Sequence, residues 1–163
     1  MIIFLKKPFT TKLSLLMTIL DNTFAKITYH EEGNYILFEY KKFGTSAAFR
    51  ESWDIAAEGA GKYQVNKWIS DSRKMAVLSP ADQQWFAEDW SPRIQETVPK
   101  DAFTAIVLDK GVFTEISAKS ISQKLIGRNS ISPTTITFEY FKDIDAALDW
   151  VKNLEYQLEP LAR

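Results

Sequence analysis

The chain has 163 residues, 45% of them hydrophobic and 25% charged, which fits one folded domain rather than two. Its net charge of −1 gives no general attraction to nucleic acid, and the absence of cysteine excludes disulfides, thiolate metal sites and cysteine nucleophiles. The single histidine, His30, excludes any site that takes two imidazoles from one chain. Eleven Phe, six Tyr and five Trp supply a large core without metal or disulfide support.

The first stretch, "MIIFLKKPFTTKLSLLMTIL", places basic residues before an apolar run from Leu13 to Leu20 that Ser14 and Thr18 interrupt. A secretory leader takes about 7–15 apolar residues and a small-residue cleavage site. The run sits at the lower limit, and "NTFAK" is a poor cleavage site. A membrane-spanning helix takes about 20 apolar residues, so no integral membrane segment is expected. The expected division is an N-terminal extension over 1–16 and a single cytoplasmic domain over 17–163.

"FAKITYH" and "NYILFEYKKF" are β-rich runs joined by "EEGN", which predicts a hairpin. "GTSAAFRESWDIAAEGAGKY" predicts a helix capped by Thr45 or Ser46, with an apolar stripe of Phe49, Trp53, Ala56 and Ala60, ended by Gly61. "VNKWIS" is a short strand. It leads into the polar stretch "ISDSRKMAVLSPADQQWF", residues 69–86. There Ser79 can cap a helix, Pro80 suits the first helical position, and Asp82 stands third in the manner of a capping box. That helix continues through Trp85, Phe86 and Trp90 until Pro92 breaks or kinks it near Ser91. "AFTAIVLD" is a strand buried on both faces, "GVFTEISAKSISQKLIG" a weaker helix, "NSISP" a turn and "TTITFEYF" a strand. A last helix is capped by Asp143, striped by Ile144, Ala147, Leu148, Val151, Leu154 and Leu158, and closed by Pro160. The order β-β-α-β-α-β-α-β-α predicts an α/β sandwich, a central mixed sheet with helices packed against it. The 70–79 loop then lies at a carboxyl strand end, where such sheets meet ligands and partners.

This order, with "AFRESW" on the first helix, "WISDSRK" at the strand end, "SPADQQWF" on the second helix and "DAALDWV" near the end, resembles the STAS domain. That is the fold of bacterial anti-sigma-factor antagonists, and the likeness is closer to divergent STAS-like proteins without assigned activity. It covers roughly residues 17–158. In the antagonists a serine at the start of the second helix is phosphorylated by a partner kinase. Here Pro80 or Ala81 falls in that place, and Ser79 comes one or two positions early, so the resemblance does not carry the phosphoswitch with it. Some STAS-like proteins also resemble the CRAL-TRIO lipid-exchange fold.

Two readings follow. The first is a non-catalytic, bacterial-type STAS-like domain that contacts a protein partner through Asp71, Ser72, Arg73, Lys74, Ser79 and Asp82. Against it stands the plain role of the same residues in Asx and Ser turns and in capping. The second is a carrier or sensor of a small apolar ligand or lipid, lined by Trp53, Trp68, Trp85 and Trp90. Against it stands ordinary core packing of those rings and of Trp150. Neither reading calls for a cofactor, a metal or nucleic acid, and both are compatible with a homodimer. His30 beside Glu31 and Glu32 sits at a predicted turn, and Glu88-Asp89 on a helix whose sequence neighbours point apart, so neither pair is assigned catalysis or metal binding. "GAGK" at 59–62 follows a helix and lacks the Walker pattern, and is read as a helix end.

Overall fold

A computed structural model describes residues 14–158, apart from the side chains of 112–114 and 155–158. Six strands form one sheet in chain order: β1 Leu16–Asp21, β2 Ala25–His30, β3 Tyr35–Tyr40, β4 Lys67–Asp71, β5 Ala102–Val107 and β6 Ile136–Phe141. The first three pair antiparallel and β3 to β6 pair parallel, so the sheet is mixed. The strand order never reverses. Among the described residues the order offers no switch-point crevice, so a site at the carboxyl ends is built by loops.

The helices are α1 Ser46–Tyr63, α2 Pro80–Trp85, α3 Ser91–Thr97, α4 Val112–Gly127 and α5 Ile144–Leu158, with a π-helical turn, Phe86–Trp90, joining α2 to α3. One face of the sheet packs Ile36, Phe38, Trp68 and Ile106 under residues of α1, the α2–α3 segment and α4. The other face packs Tyr35, Ile69, Ala105 and Val107 under Ala147 and Val151 of α5.

The structure departs from the sequence expectation in two places. An additional strand, β1 over 16–21, precedes the expected hairpin, and the order is β-β-β-α-β-α-β-α-β-α. Leu16 pairs with His30, one residue inside the expected extension; residues 1–13 of that extension lie outside the described residues. β1 docks on α1 because Gly59 has no side chain, since a Cβ there would lie 2.6 Å from Ile19 Cδ1. The glycines of "GAGK" are therefore packing residues inside α1, not its end. The helix closes at Gln64, left-handed at φ 52°, whose N–H reaches the carbonyls of Ala60 and Gly61. The break or kink expected near Ser91 takes the form of a π-turn over 86–90, after which the helix resumes. Proline lacks an N–H and crowds the carbonyl four residues back. The wider π-turn immediately before it lets the chain run on as α3.

Three side-chain N-caps were legible. Thr45 Oγ1 accepts from the Ala48 N–H at 3.1 Å, Ser79 Oγ from the Asp82 N–H at 3.1 Å, and Asp143 Oδ1 from the Ala146 N–H at 2.9 Å.

Candidate functional site at the carboxyl ends of the third and fourth strands

β4 delivers the polar stretch to the carboxyl end of the sheet. Ser72 continues the ladder by donating its N–H to Val107 O at 2.9 Å, and the Met75 N–H closes a turn onto Ser72 O at 3.1 Å. Its side chain is buried, with the Ser70 and Ser72 hydroxyls 3.0 Å apart. Asp71 takes the Arg73 guanidinium in a fork, at 2.8 Å from Nε and 2.6 Å from Nη2. A two-oxygen fork fixes an exposed arginine's direction as well as its position. Lys74 is exposed beside it.

These side chains line an open cleft of about 400 Å³, together with Lys26, Glu39, Tyr40 and Lys41. Lys41 is itself tied to Asp21 and to the carbonyl of Asn22. The lining carries four cations, Lys26, Lys41, Arg73 and Lys74, against the two anions Glu39 and Asp71, so the cleft is polar with an excess of positive charge.

Next to it lies a second recess, of about 150 Å³. Its floor is apolar: Phe24, Tyr40, Phe49, Met75 and Leu78, each buried. The rim comes from 44–46 at the start of α1 and 76–79 before α2. Val77 stands in the rim at 60% exposure and Phe43 directly before it at 77%, while the floor rings are buried. Gly44 is needed where the rim crosses the floor, because a Cβ there would sit 2.3 Å from the Phe24 ring.

Asp82 holds the two rim segments together. It is 3% exposed and accepts from the Ser46 hydroxyl at 2.6 Å, Arg50 Nε at 2.9 Å and the Ser79 hydroxyl at 2.9 Å. Burial works to raise its pKa, but the hydrogen bonds from Ser46, Arg50 and Ser79 and the Arg50 charge outweigh it, and the carboxyl lies below its ordinary value. The expected capping-box contact to the cap's own backbone is replaced by these side-chain bonds. Tyr40 belongs to both recesses. Burial holds its phenol protonated well above the usual tyrosine range, and its oxygen accepts the Trp53 indole N–H at 3.0 Å.

Of the residues singled out for partner contact, Asp71, Arg73 and Lys74 thus line the cleft, Ser79 and Asp82 line the recess, and Ser72 lies inside. Sequence reasoning missed Tyr40, Phe43, Ser46, Phe49 and Arg50, because the β3–α1 loop carries no polar cluster to match 69–79.

The tryptophans divide. Trp53, Trp68 and Trp90 meet with ring centroids 5.1 to 6.1 Å apart, and Phe86 lies 4.5 Å from Trp90 in a stacked pair. Together they line a cavity of about 60 Å³ between sheet and helices. A second, of about 50 Å³, shares Trp53, Phe86, Thr104 and Phe138 with it. Trp85 is not in this group. It is half-buried outside, with the Arg50 guanidinium 5.4 Å and that of Arg93 6.0 Å from its ring. Trp150 packs against Phe141 on the α5 side.

His30 stacks on Tyr35 at 4.5 Å, with Nε2 3.0 Å from Thr28 Oγ1. Burial, then the Lys152 charge, lowers its pKa. No group of three or more metal-ligating side chains occurs among the described residues. Asp89 pairs with Arg93 at 2.8 Å and Glu88 accepts from Gln84 at 3.0 Å, both on the exposed side of the helix. Among the described residues no helix is long and apolar enough to cross a membrane. No family model, curated protein or solved structure matches the chain.

Proposed function

We propose that the protein is a non-catalytic, STAS-like interaction domain. It receives a segment of a protein partner on the face formed by the carboxyl ends of β3 and β4. One apolar side chain of the partner seats in the recess over Phe49 and Met75, and polar neighbours meet the Lys26–Lys74 cleft. The observation that carries this reading is the adjacency of the two recesses through Tyr40. A buried apolar anchor beside a polar, ion-paired margin is how protein interfaces divide affinity from specificity. The exposure of Val77 in the rim and of Phe43 directly before it adds apolar surface that the fold itself leaves uncovered. Lys42 stands exposed ahead of the first rim segment, and Arg73 and Lys74 ahead of the second, so acidic residues flanking the apolar anchor are the favoured partner chemistry.

Selection from a random peptide library tests this. The expected product is a peptide with one bulky apolar residue between acidic ones. Its binding should fall at least about tenfold for Val77→Asp and for Lys74→Glu, with both melting temperatures unchanged because both side chains are exposed. An empty selection, or peptides indifferent to both substitutions, overturns the proposal.

A further inference from the structure

The cavity beneath the π-turn shares no lining residue with either recess of the partner face. Its wall contains a buried hydroxyl with no partner. Ser91 directly follows the π-turn, is 1% exposed, and its Oγ makes no hydrogen bond. A helical serine ordinarily satisfies itself on the carbonyl four residues back, as Ser122 does on Ala118 at 2.8 Å. At Ser91 the widened turn instead takes the backbone N–H to Phe86, five residues back, and the hydroxyl is left unpaired. Several other polar groups around the cavity are engaged. Trp90 Nε1 donates to Trp53 O at 2.7 Å, Trp53 Nε1 donates to Tyr40, Gln95 bonds Thr134, and Asn66 bonds Asp101 O. A buried hydroxyl without a partner carries the full cost of leaving water, and native proteins keep few of them.

We propose that this cavity binds a small uncharged amphiphile: a compact apolar body carrying one hydroxyl or carbonyl oxygen, which pairs with Ser91 Oγ. Size sets the class. The cavity and its neighbour measure about 60 and about 50 Å³. Each exceeds the ~10–15 Å³ that a single water occupies, and together they fall short of the ~150 Å³ cavity known to admit benzene. The body is therefore smaller than an aromatic ring. The charge follows from the wall, where Trp53, Trp68, Phe86, Trp90, Ile94 and Leu125 offer an ion nothing to replace its hydration, and the charged lining residue, Lys100, is exposed with Nζ 3.5 Å from Gln64 O. The buried serine supplies a directional contact, and the rings supply the apolar surface.

2-Propanol and xenon, both smaller than benzene, are the probes, read on methyl-labelled protein by the shifts of Ile94 and Leu125. 2-Propanol should shift these methyls saturably, and xenon should shift the same ones. Ser91→Ala should weaken 2-propanol about tenfold while leaving xenon as tight or tighter, and Ser91→Thr, which keeps the hydroxyl, should retain 2-propanol binding. Leu125→Phe, which fills the space, should abolish both. 2-Propanol binding that does not saturate, that maps elsewhere, or that is indifferent to Ser91→Ala overturns the proposal. So does occupation by water alone, seen as no response to 2-propanol. Replacing a buried unpaired hydroxyl with alanine in a helix does not threaten folding.

Discussion

The two faces of the sheet are built from different materials. Under α5 the core is mainly aliphatic and small, with Ile69, Ala105, Val107, Ala147 and Val151 closing around Tyr35. None of the recesses described above touches it. Under α1 to α4 the core carries a cluster of aromatic rings among its aliphatic residues, some stacked and others meeting at steep angles: 75° between Trp53 and Trp90, 79° between Trp53 and Phe86, 73° between Trp68 and Trp90. Rigid plates set edge to face bury much surface but cannot flow into the corners they leave, whereas branched aliphatic chains interdigitate. Among the described residues the same face carries the one helical segment that is π rather than α, and the apolar recess and the cavity open from it. The polar cleft takes Lys26, Glu39 and Asp71 from the strand positions of the other face. One face of this sheet closes the fold; the other leaves room in it.

The hardest blow to the aromatic face is Trp53→Ala. Trp53 stacks on Phe38 at 4.2 Å, donates to Tyr40, and supplies the carbonyl that satisfies Trp90. Truncation of a buried large aromatic costs about 3–5 kcal/mol. A denaturant midpoint that moves by less than half of that would mean the layer collapses to fill the gap, and that the comparison overstates its rigidity.

The converse test crowds the closed face. Ala147 is fully buried against the sheet. Ala147→Leu adds bulk where no space exists, and overpacking of this kind costs about 1–3 kcal/mol. A chemical melt showing no loss would reveal slack beneath α5.

How much of this was readable in advance follows the same division. Three side-chain N-caps came from local chemistry: Thr45 (read with Ser46 as the alternative), Ser79 and Asp143 are oxygen-bearing residues standing just ahead of an apolar period. α5 was plain because its stripe has one face to satisfy. β1 was hidden because its residues alternate only weakly between the half-buried and exposed sides of an edge strand, so the run looked merely apolar. The end of α1 was misplaced for a physical reason. Gly61 is a good helix stop, but its missing side chain is used against Thr97, 2.7 Å from where a Cβ would stand. The recess and the cavity had no local signature. Each is made by residues far apart in sequence, and one of them by a backbone widening that Pro92 announces only as a break or kink.

Asp82 joins the two rim segments, so its loss is felt as stability and as shape. Asp82→Asn removes the charge that Arg50 and two hydroxyls address. With Arg50 substantially exposed, the expected cost is about 1–2 kcal/mol. Ser79→Ala should cost a similar 0.5–2 kcal/mol, about the worth of an N-cap, while Ser79→Asp largely preserves stability. The carboxyl's folded pKa lies below its unfolded value, so its contribution is whole above the ordinary aspartate range and disappears as pH falls through the folded value. His30 acts in the same direction at higher pH. Its folded pKa is lowered, so protonation below about pH 6.5 disfavours the native state. The stability of Asp82→Asn followed down to low pH should therefore fall less than that of the parent. An equal fall would remove Asp82 from the account.

The smallest effect expected is also the one that most sharply separates the faces. Leu125→Phe on α4 enlarges a residue that is 2% exposed, which on ordinary grounds is as crowded as Ala147. Yet Leu125 borders the cavity of about 60 Å³ under the π-turn, and a ring directed there replaces empty space with contact. Filling a void regains the dispersion that its lining lacks, so the substitution should change stability by less than about 1 kcal/mol in either direction. The pair Ala147→Leu and Leu125→Phe then asks a single question of the two cores, with added bulk as the common perturbation. If both lose stability equally, the aromatic face holds no usable space, and the ligand site proposed within it falls as well. If only the α5 variant loses, the room is real.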